Sequence, residues 1–128
     1  VVETLADGRA LRYAAALAEG QKTGWFYDQA ANRGALPRYL PRGARVLDVC
    51  SYAGAWAVTA LAAGAAAATC VDASQAALER AAGNARANGF DVGVRRGDAF
   101  DVLAALAAEG ARYDVVIVDP PAFIKRRK

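Results

Sequence analysis

The sequence contains no histidine and only two cysteines among its 128 residues, which argues against several kinds of site at once. Common zinc sites need clusters of cysteine and histidine, and Cys50 and Cys70 stand at unrelated positions. Two such cysteines also make no disulfide framework. We therefore predict no metal site, no structural disulfide and a reducing, cytoplasmic location.

The chain also lacks the glycine patterns that bind nucleotide phosphates. Residues 44–56 are typical of a short apolar strand, a turn of small residues and the start of a helix. Gly54 alone matches the G-x-G-x-x-G spacing, and no P-loop Gly-Lys-Ser/Thr is present. An acid inside the strand end, Asp48, with one glycine six residues later favours a charged nucleoside without a pyrophosphate. S-adenosylmethionine is the first candidate.

Positive charge is concentrated at residues 125–128. The net charge is +3, but these four residues supply +4, so the preceding residues sum to −1. Lys125 and Arg126 begin this run, and we predict that its charges contact the phosphates of a nucleic-acid substrate. A solvated charge run is the alternative.

The longest uncharged segment spans residues 53–71 and has the length of a transmembrane helix. It consists mostly of alanine and glycine, is interrupted at Gly64, and lies between Asp48 and Asp72. A helix and then a strand explain it better, so we predict no membrane span. The first residues have neither the basic start nor the apolar run of a secretory signal.

Alternating segments predict an α/β fold. Strands are expected at 45–50, 67–71, 92–95 and 113–118, with helices between them at 54–63, 74–88 and 99–109. This alternation is typical of βαβ units that form a parallel sheet with helices on both faces.

A β-hairpin is predicted at residues 1–5 and 10–17, before the first of these strands. An isolated hairpin is marginally stable, so it either packs on the α/β segment or is a remnant of an upstream or central module. We accordingly divide the sequence into residues 1–19 and a cofactor-binding domain at 20–128.

Four aspartates, Asp48, Asp72, Asp98 and Asp119, lie at the ends of predicted strands at intervals of 24, 26 and 21 residues. The carboxyl ends of parallel strands form the ligand crevice of an open α/β sheet. Asp72 is placed to accept both ribose hydroxyls, and Asp48 to orient a methionine ammonium. Asp98 could accept from an adenine amino group while the Ala99 N–H donates to a ring nitrogen. Helix capping is the alternative for each aspartate alone.

Asp119 precedes two prolines, which restrict the backbone just beyond the last predicted strand. Such rigidity suits a site that holds a planar base, with Phe123 near enough to stack on it. We predict that Asp119 positions the base and that Pro120 and Phe123 contact the substrate. A plain Pro-Pro turn is the alternative.

Five motifs together resemble the RlmI-type class I methyltransferases, which make 5-methylcytosine in large-subunit ribosomal RNA. They are Gly-Gln-Lys-Thr-Gly-Trp-Phe-Tyr-Asp-Gln-x-x-Asn-Arg at 20–33, Val-Leu-Asp-Val-Cys-Ser-Tyr-x-Gly at 46–54, Val-Asp-x-Ser at 71–74, Gly-Asp-Ala-Phe at 97–100 and Asp-Pro-Pro-Ala-Phe at 119–123. The first is the most specific, although its residues taken alone also fit an ordinary loop and helix cap at Asp28.

The resemblance implies a partial Rossmann-like class I methyltransferase fold, S-adenosylmethionine as cofactor and ribosomal RNA as partner. It also implies that Asp28 and Arg33 line the cofactor pocket and that the turn from Asp48 to Gly54 cradles the methionine part. The complete set of predicted cofactor contacts is Asp28, Arg33, Asp48, Ser51, Tyr52, Gly54, Asp72, Ser74, Asp98, Ala99 and Asp119.

Members of this family carry an RNA-binding PUA module before the hairpin and a Ser-Cys-Ser segment after the Asp-Pro-Pro strand, and this sequence contains neither. Cys50 and Cys70 are predicted to be small buried hydrophobes and Trp56 a packing residue. The isolated chain is therefore expected to be inactive. A guanine-N-methyltransferase and an NAD-type or purely interacting α/β domain are the alternatives, although an NAD site would need the glycine fingerprint.

Overall fold

The computed structural model describes residues 2–5, 7–14 and 30–120. Within these ranges the elements are, in chain order, β1 (Val2–Thr4), β2 (Ala10–Arg12), α1 (Ala30–Ala35), a 3-10 turn (Leu36–Tyr39), β3 (Arg45–Val49), α2 (Ala55–Ala62), β4 (Ala67–Asp72), α3 (Gln75–Ala87), β5 (Gly93–Arg96), α4 (Ala99–Ala108) and β6 (Val115–Val118).

Strands β3 to β6 form a parallel sheet in the order β5-β4-β3-β6. The chain runs outward from β3 to β5 and then returns to place β6 on the other side of β3. Leu47 of β3 therefore pairs with Thr69 of β4 on one side and with Val116 of β6 on the other. The direction of winding reverses between β3 and β6, and open α/β sheets bind ligands at such a switch point.

Successive strand residues point to opposite sides of the sheet, so its strands present apolar side chains on both faces. Helices cover both of these faces. Val46 and Cys70 pack with Leu78 in a buried cluster beneath α2 and α3. On the opposite face, Leu47 and other strand residues pack against Val102 and Leu106 of α4. The predicted parallel α/β fold, with helices on both faces, is confirmed.

Strand β6 carries an apolar run of which one face is uncovered. Val116 and Val118 are 51% and 58% exposed. They lie on the face that α4 covers, but α4 packs on Leu47 and Val49 of β3 and on Val71 of β4. β6 is an edge of the described sheet, and α4 does not reach it.

The hairpin of β1 and β2 packs on α2 and α3, which agrees with the first of the two predicted alternatives. Asn84 of α3 and Asn88, the C-cap of that helix, bind the backbone at the end of β2. The Ala14 amide donates to Asn84 Oδ1 at 2.7 Å, and the Arg12 amide donates to Asn88 Oδ1 at 2.9 Å. Tyr13 is buried in the same cluster as residues of α2. The domain boundary at residues 19 and 20 stays a prediction.

The uncharged segment 53–71 is divided between α2 and β4, as the sequence predicts. Among the described helices, none is both long enough and apolar enough to cross a membrane.

Candidate cofactor site at the strand ends

The turn after β3 has an unusual backbone that sets the geometry of the site. Cys50 has φ +63°, Tyr52 +49° and Gly54 +82°, values that non-glycine residues adopt rarely. The amides of Cys50 and Ser51 both donate to the Val71 carbonyl oxygen, at 2.8 and 3.1 Å. These bonds hold the turn against the end of β4, and strained backbone of this kind clusters at functional sites.

Gly54 caps the N-terminus of α2 and is required there by space as well as by conformation. A Cβ on Gly54 would lie 2.8 Å from the Ala81 Cβ of α3, closer than real Cβ atoms approach. The sequence predicts a glycine of close approach at this position. In the structure the nearest group is α3, so the glycine lets the turn pack onto that helix.

Asp48 lies beneath the first turn of α2 and is fully buried. Its Oδ2 accepts a hydrogen bond from the Ala57 amide at 3.1 Å, and its Oδ1 has no partner in the described structure. Burial raises the pKa of Asp48 to about 8; nearby Asp119 and Asp72 also raise it, whereas the Ala57 amide opposes the rise. Near neutral pH this carboxyl is therefore largely protonated, and a cation placed beside it would favour ionisation.

Asp72 is the last residue of β4 and accepts two backbone hydrogen bonds. Its Oδ2 accepts from the Tyr52 amide and its Oδ1 from the Ser74 amide, both at 3.0 Å. The N-cap of α3 is Ser74, whose hydroxyl accepts from the Ala77 amide at 3.1 Å. Asp72 is thus not a helix cap, and each of its oxygens keeps a lone pair for a ligand.

Asp98 is the one strand-end acid that the capping alternative explains. Its Oδ1 accepts from the amides of Phe100 and Asp101, at 2.9 and 3.2 Å, at the start of α4. Its Oδ2 makes no hydrogen bond within the described ranges, and Ala99 is the first residue of the helix. Capping leaves this exposed oxygen available to a ligand.

Asp119 lies just beyond β6 and is fixed through both its backbone and its side chain. Its amide donates to the Val49 carbonyl oxygen at 3.3 Å, and its Oδ2 accepts from the indole Nε1 of Trp56 at 3.0 Å. Trp56 also packs on the cluster under α2 and α3. The prediction of packing alone for Trp56 is therefore incomplete. No sequence signal could pair two residues 63 positions apart.

One segment, residues 50–57, donates hydrogen bonds to three of the four strand-end acids. Asp72 accepts from the Tyr52 amide, Asp48 from the Ala57 amide and Asp119 from the Trp56 indole. The three carboxyl groups therefore meet around a single turn at the β3/β6 switch point.

The remaining predicted site residues are Arg33, Ser51 and Pro120, which the structure describes, and four that lie outside the described ranges. Arg33 is buried; its Nε donates to Glu3 Oε1 at 2.9 Å, and a terminal nitrogen contacts the other carboxylate oxygen. Ser51 is buried, and Pro120 is exposed. Asp28, Phe123, Lys125 and Arg126 belong to residues that the structure does not describe. The cofactor and substrate roles assigned to all of these residues stay predictions.

Neither cysteine of the chain is suited to be a nucleophile. Cys70 is 0% exposed, and burial raises its pKa well above the ordinary thiol range. Burial also raises the pKa of Cys50, with Asp72 and the other nearby acids adding to the rise. Both thiols therefore stay protonated near neutral pH. The prediction of a buried cysteine is confirmed for Cys70, whereas Cys50 is only partly buried.

Cavity size does not mark the site. A cavity of about 210 Å³ lies between the hairpin, α1 and α2, and another of about 400 Å³ lies between the β2 exit and α3. Neither is lined by the strand-end acids. The assignment rests on the arrangement of the carboxyl groups.

Comparison with known proteins places the chain in a single group of enzymes. Residues 3–127 match the family model of S-adenosylmethionine-dependent methyltransferases. The chain is 41% identical over 111 residues to ribosomal RNA large subunit methyltransferase I of Erwinia tasmaniensis, covering 84% of this chain and 28% of the relative. It is 40% identical over 112 residues to the protein of the same name from Serratia proteamaculans, covering 85% and 28%.

Solved structures give a consistent result. The crystal structure of SMU.776 complexed with SAH superposes with a TM-score of 0.79 at 31% identity, covering 90% of this chain and 31% of that one. A SAM-dependent methyltransferase from Agrobacterium tumefaciens superposes with a TM-score of 0.68 at 30% identity, covering 77% and 33%. The RlmI-type resemblance and the predicted S-adenosylmethionine cofactor are confirmed. The chain spans a little over a quarter of the length of the two curated relatives.

Proposed function

The chain belongs to the S-adenosylmethionine-dependent methyltransferase family, and we propose that it forms the cofactor half of an enzyme that methylates C5 of cytosine in large-subunit ribosomal RNA. The observation that carries the proposal is the meeting of Asp48, Asp72 and Asp119 around residues 50–57 at the β3/β6 switch point. The names of the two similar relatives support ribosomal RNA as the substrate, and hence a cytoplasmic location.

The methionine end of the cofactor fits the inner part of this site. Asp48 Oδ1 and Ser51 Oγ are buried polar atoms that lack a hydrogen-bond partner in the described structure. Buried polar groups are normally paired, so the Asp48 oxygen points to a polar ligand, whereas Ser51 Oγ lies near enough to the Cys70 thiol to lower the pKa of that thiol. In this proposal Asp48 faces the cofactor ammonium, and the positive charge draws its carboxyl into the ionised form.

The nucleoside end fits the outer acids. Asp72 offers one lone pair on each oxygen to the ribose hydroxyls, because its backbone bonds use only the others. Asp98 Oδ2 accepts from the adenine amino group, and the Ala99 amide donates to the ring. When bound, S-adenosylmethionine supplies the methyl group.

The base is held at Asp119, beyond the switch point. C5 of cytosine becomes nucleophilic after a thiolate adds to C6, so the reaction needs an activated cysteine. Cys50 and Cys70 do not provide it, since burial raises the pKa of each thiol. We therefore propose that the nucleophile comes from outside these 128 residues.

Calorimetry on the chain tests the cofactor assignment. Titration with S-adenosylmethionine, its demethylated product SAH and NAD should show tighter binding of the first two. Weak NAD binding is expected because the turn has no glycine fingerprint for a pyrophosphate. An NAD affinity equal to or greater than that of SAH would therefore refute the assignment.

Methylation of undermethylated ribosomal RNA, with nucleoside analysis of the product, tests the reaction. The full-length enzyme should produce 5-methylcytosine, whereas the isolated chain should show no turnover. A methylated guanine would favour a guanine-N-methyltransferase, the alternative that the Asp-Pro-Pro motif leaves open.

Changing residues 125–128 to serine in the full-length enzyme should reduce the log-log salt slope of RNA binding by up to about 3, if these side chains contact phosphate.

A further inference from the structure

The contact between Trp56 and Asp119 joins the two halves of the site. Trp56 lies in the first turn of α2, next to Ala57, whose amide holds the buried Asp48. Its indole Nε1 donates to Asp119 Oδ2 at 3.0 Å, across the switch point between β3 and β6. A single helical turn thus holds the acid on the cofactor side and the acid on the base side.

The indole bond selects one orientation of the Asp119 carboxyl group. Rotation about χ2 of an aspartate is broad, so packing alone defines poorly the plane in which the two carboxylate oxygens lie. An indole N–H can donate but cannot accept, and here it occupies Oδ2. Asp119 Oδ1 has no hydrogen-bond partner among residues 2–5, 7–14 and 30–120, so it is the oxygen left for a substrate donor.

The backbone of Asp119 is already restrained, so the indole can restrict only the rotation of the Asp119 side chain. The amide of Asp119 is bonded to the Val49 carbonyl oxygen, and Pro120 keeps Asp119 out of the helical region. These restraints leave the side-chain rotation undetermined, and Trp56 supplies the group that determines it.

We propose that Trp56 is a positioning residue for Asp119, which directs Oδ1 of that carboxylate at the reacting base without contributing to cofactor affinity. The inference rests on the proposed methylation of RNA. Phenylalanine at position 56 would keep an aromatic ring on the helix but lose the N–H donor.

The hydrogen bond itself can be tested on this chain by NMR. The sequence has two tryptophans, so the indole N–H region of a ¹⁵N-labelled sample contains two signals, and Trp25→Phe identifies which belongs to Trp56. At pH 7, Asp119→Ala should move the Trp56 signal upfield, because the indole N–H loses its acceptor, whereas Asp91→Ala, at an exposed loop position, should leave it in place. A Trp56 signal unchanged by Asp119→Ala would overturn the proposal, and this measurement requires no substitution at Trp56.

Kinetics of the full-length enzyme test the positioning role. Trp56→Phe should lower kcat with RNA by about 10- to 100-fold, the effect of a misplaced catalytic group, and leave the KM for S-adenosylmethionine unchanged. Tyr13→Phe is the matched control, because the Tyr13 hydroxyl also bonds to α2, through the Ala55 carbonyl and Thr59, and does not touch Asp119. Combined with Asp119→Ala, Trp56→Phe should cause no further loss.

Each result separates the positioning role from a structural one. Equal losses in Trp56→Phe and Tyr13→Phe would mean that α2 is merely loosened, and a change confined to the cofactor KM would place Trp56 in the other half of the site. Either outcome refutes the proposal. Failure of the chain to bind SAH would instead refute the proposed function, while the NMR comparison would still report on the contact between Trp56 and Asp119.

Discussion

The ends of β3 and β4 and the end of β6 contribute acids to the same site but are built in different ways. At β3 the acid Asp48 is fully buried, under a turn that two backbone bonds hold to Val71. At β6 the strand itself is half exposed, and the Asp119 side chain is held by a single donor, the Trp56 indole. The turn after β3 is therefore held in place before any ligand binds. At the end of β6, by contrast, Asp119 Oδ1 has no partner in the described structure and one face of the strand is exposed.

This difference matches the ligand that each side has to bind. A small cofactor can be surrounded by a preformed turn, and a buried carboxyl there responds strongly to one added positive charge. A base that belongs to a large RNA must enter from outside, so the acid that meets it has to stay accessible. Three substitutions would break or sharpen the contrast, and they are given from the largest expected effect to the smallest.

Gly54→Ala should damage the rigid side most. The new Cβ would meet Ala81 at 2.8 Å, and φ of +82° is unfavourable for alanine, so the free energy of unfolding should fall by at least about 2 kcal/mol. Gly83→Ala is the matched control, because Gly83 lies on the same helix as Ala81 and its Cβ would meet nothing within 4 Å. The control should be neutral or stabilising by up to about 1 kcal/mol. Urea unfolding of both variants measures this, and similar losses would contradict the close-packing argument.

Asp48→Asn should make the chain more stable at neutral and alkaline pH. The pKa of Asp48 is raised to about 8 in the folded state, so between pH about 4 and 8 the unfolded chain releases a proton that the folded chain keeps. Wild-type stability should therefore fall across this window relative to the variant, by more than about 1 kcal/mol in total, and level off above pH 8. The Asn side-chain oxygen can still accept from Ala57.

Unfolding curves at pH 4.5, 6.5 and 8.5 provide the measurement for Asp48→Asn. Asp91→Asn, at an exposed loop position, serves as the control for the general effect of removing one acid. A difference between wild type and Asp48→Asn that stays constant over the three pH values would show that Asp48 is not buried as described.

Val118→Thr should have the smallest effect, because Val118 is 58% exposed on the edge strand. Its stability should stay within about 0.5 kcal/mol of wild type, with less aggregation, since a long apolar edge pairs with other chains. Val49→Thr makes the same change at the paired position on β3, where the side chain is 0% exposed, and should cost about 1–3 kcal/mol. Equal costs for the two variants would remove the contrast between β3 and β6.

Much of the fold could be predicted from sequence because its signals are local. The apolar runs at 45–50 and 67–71 and the helical spacing between them identified β3, α2 and β4 to within two residues of their observed ends. The position of Asp72 at a strand end was predicted from the same pattern. That Asp98 is also a helix cap could be anticipated but not decided, because one carboxylate can serve both purposes.

The features that the sequence missed depend on residues far apart in the chain. No local sequence pattern predicts that Arg33 is buried against Glu3 or that Asn84 accepts from the Ala14 amide just after β2. An arginine or an asparagine on a helix usually faces solvent.

By itself, the sequence determined the α/β class, the order of strands and helices along the chain, and the placement of acids at strand ends, because periodicity and turn chemistry act over a few residues. Only the tertiary structure decided that β6 returns to lie beside β3 and brings Asp119 to Trp56. Strand order depends on how the crossover helices pack on the two faces of the sheet, and that choice is made by contacts between distant segments. Local sequence therefore accounts for the types of residue in the site, and the winding of the sheet accounts for how these residues are arranged.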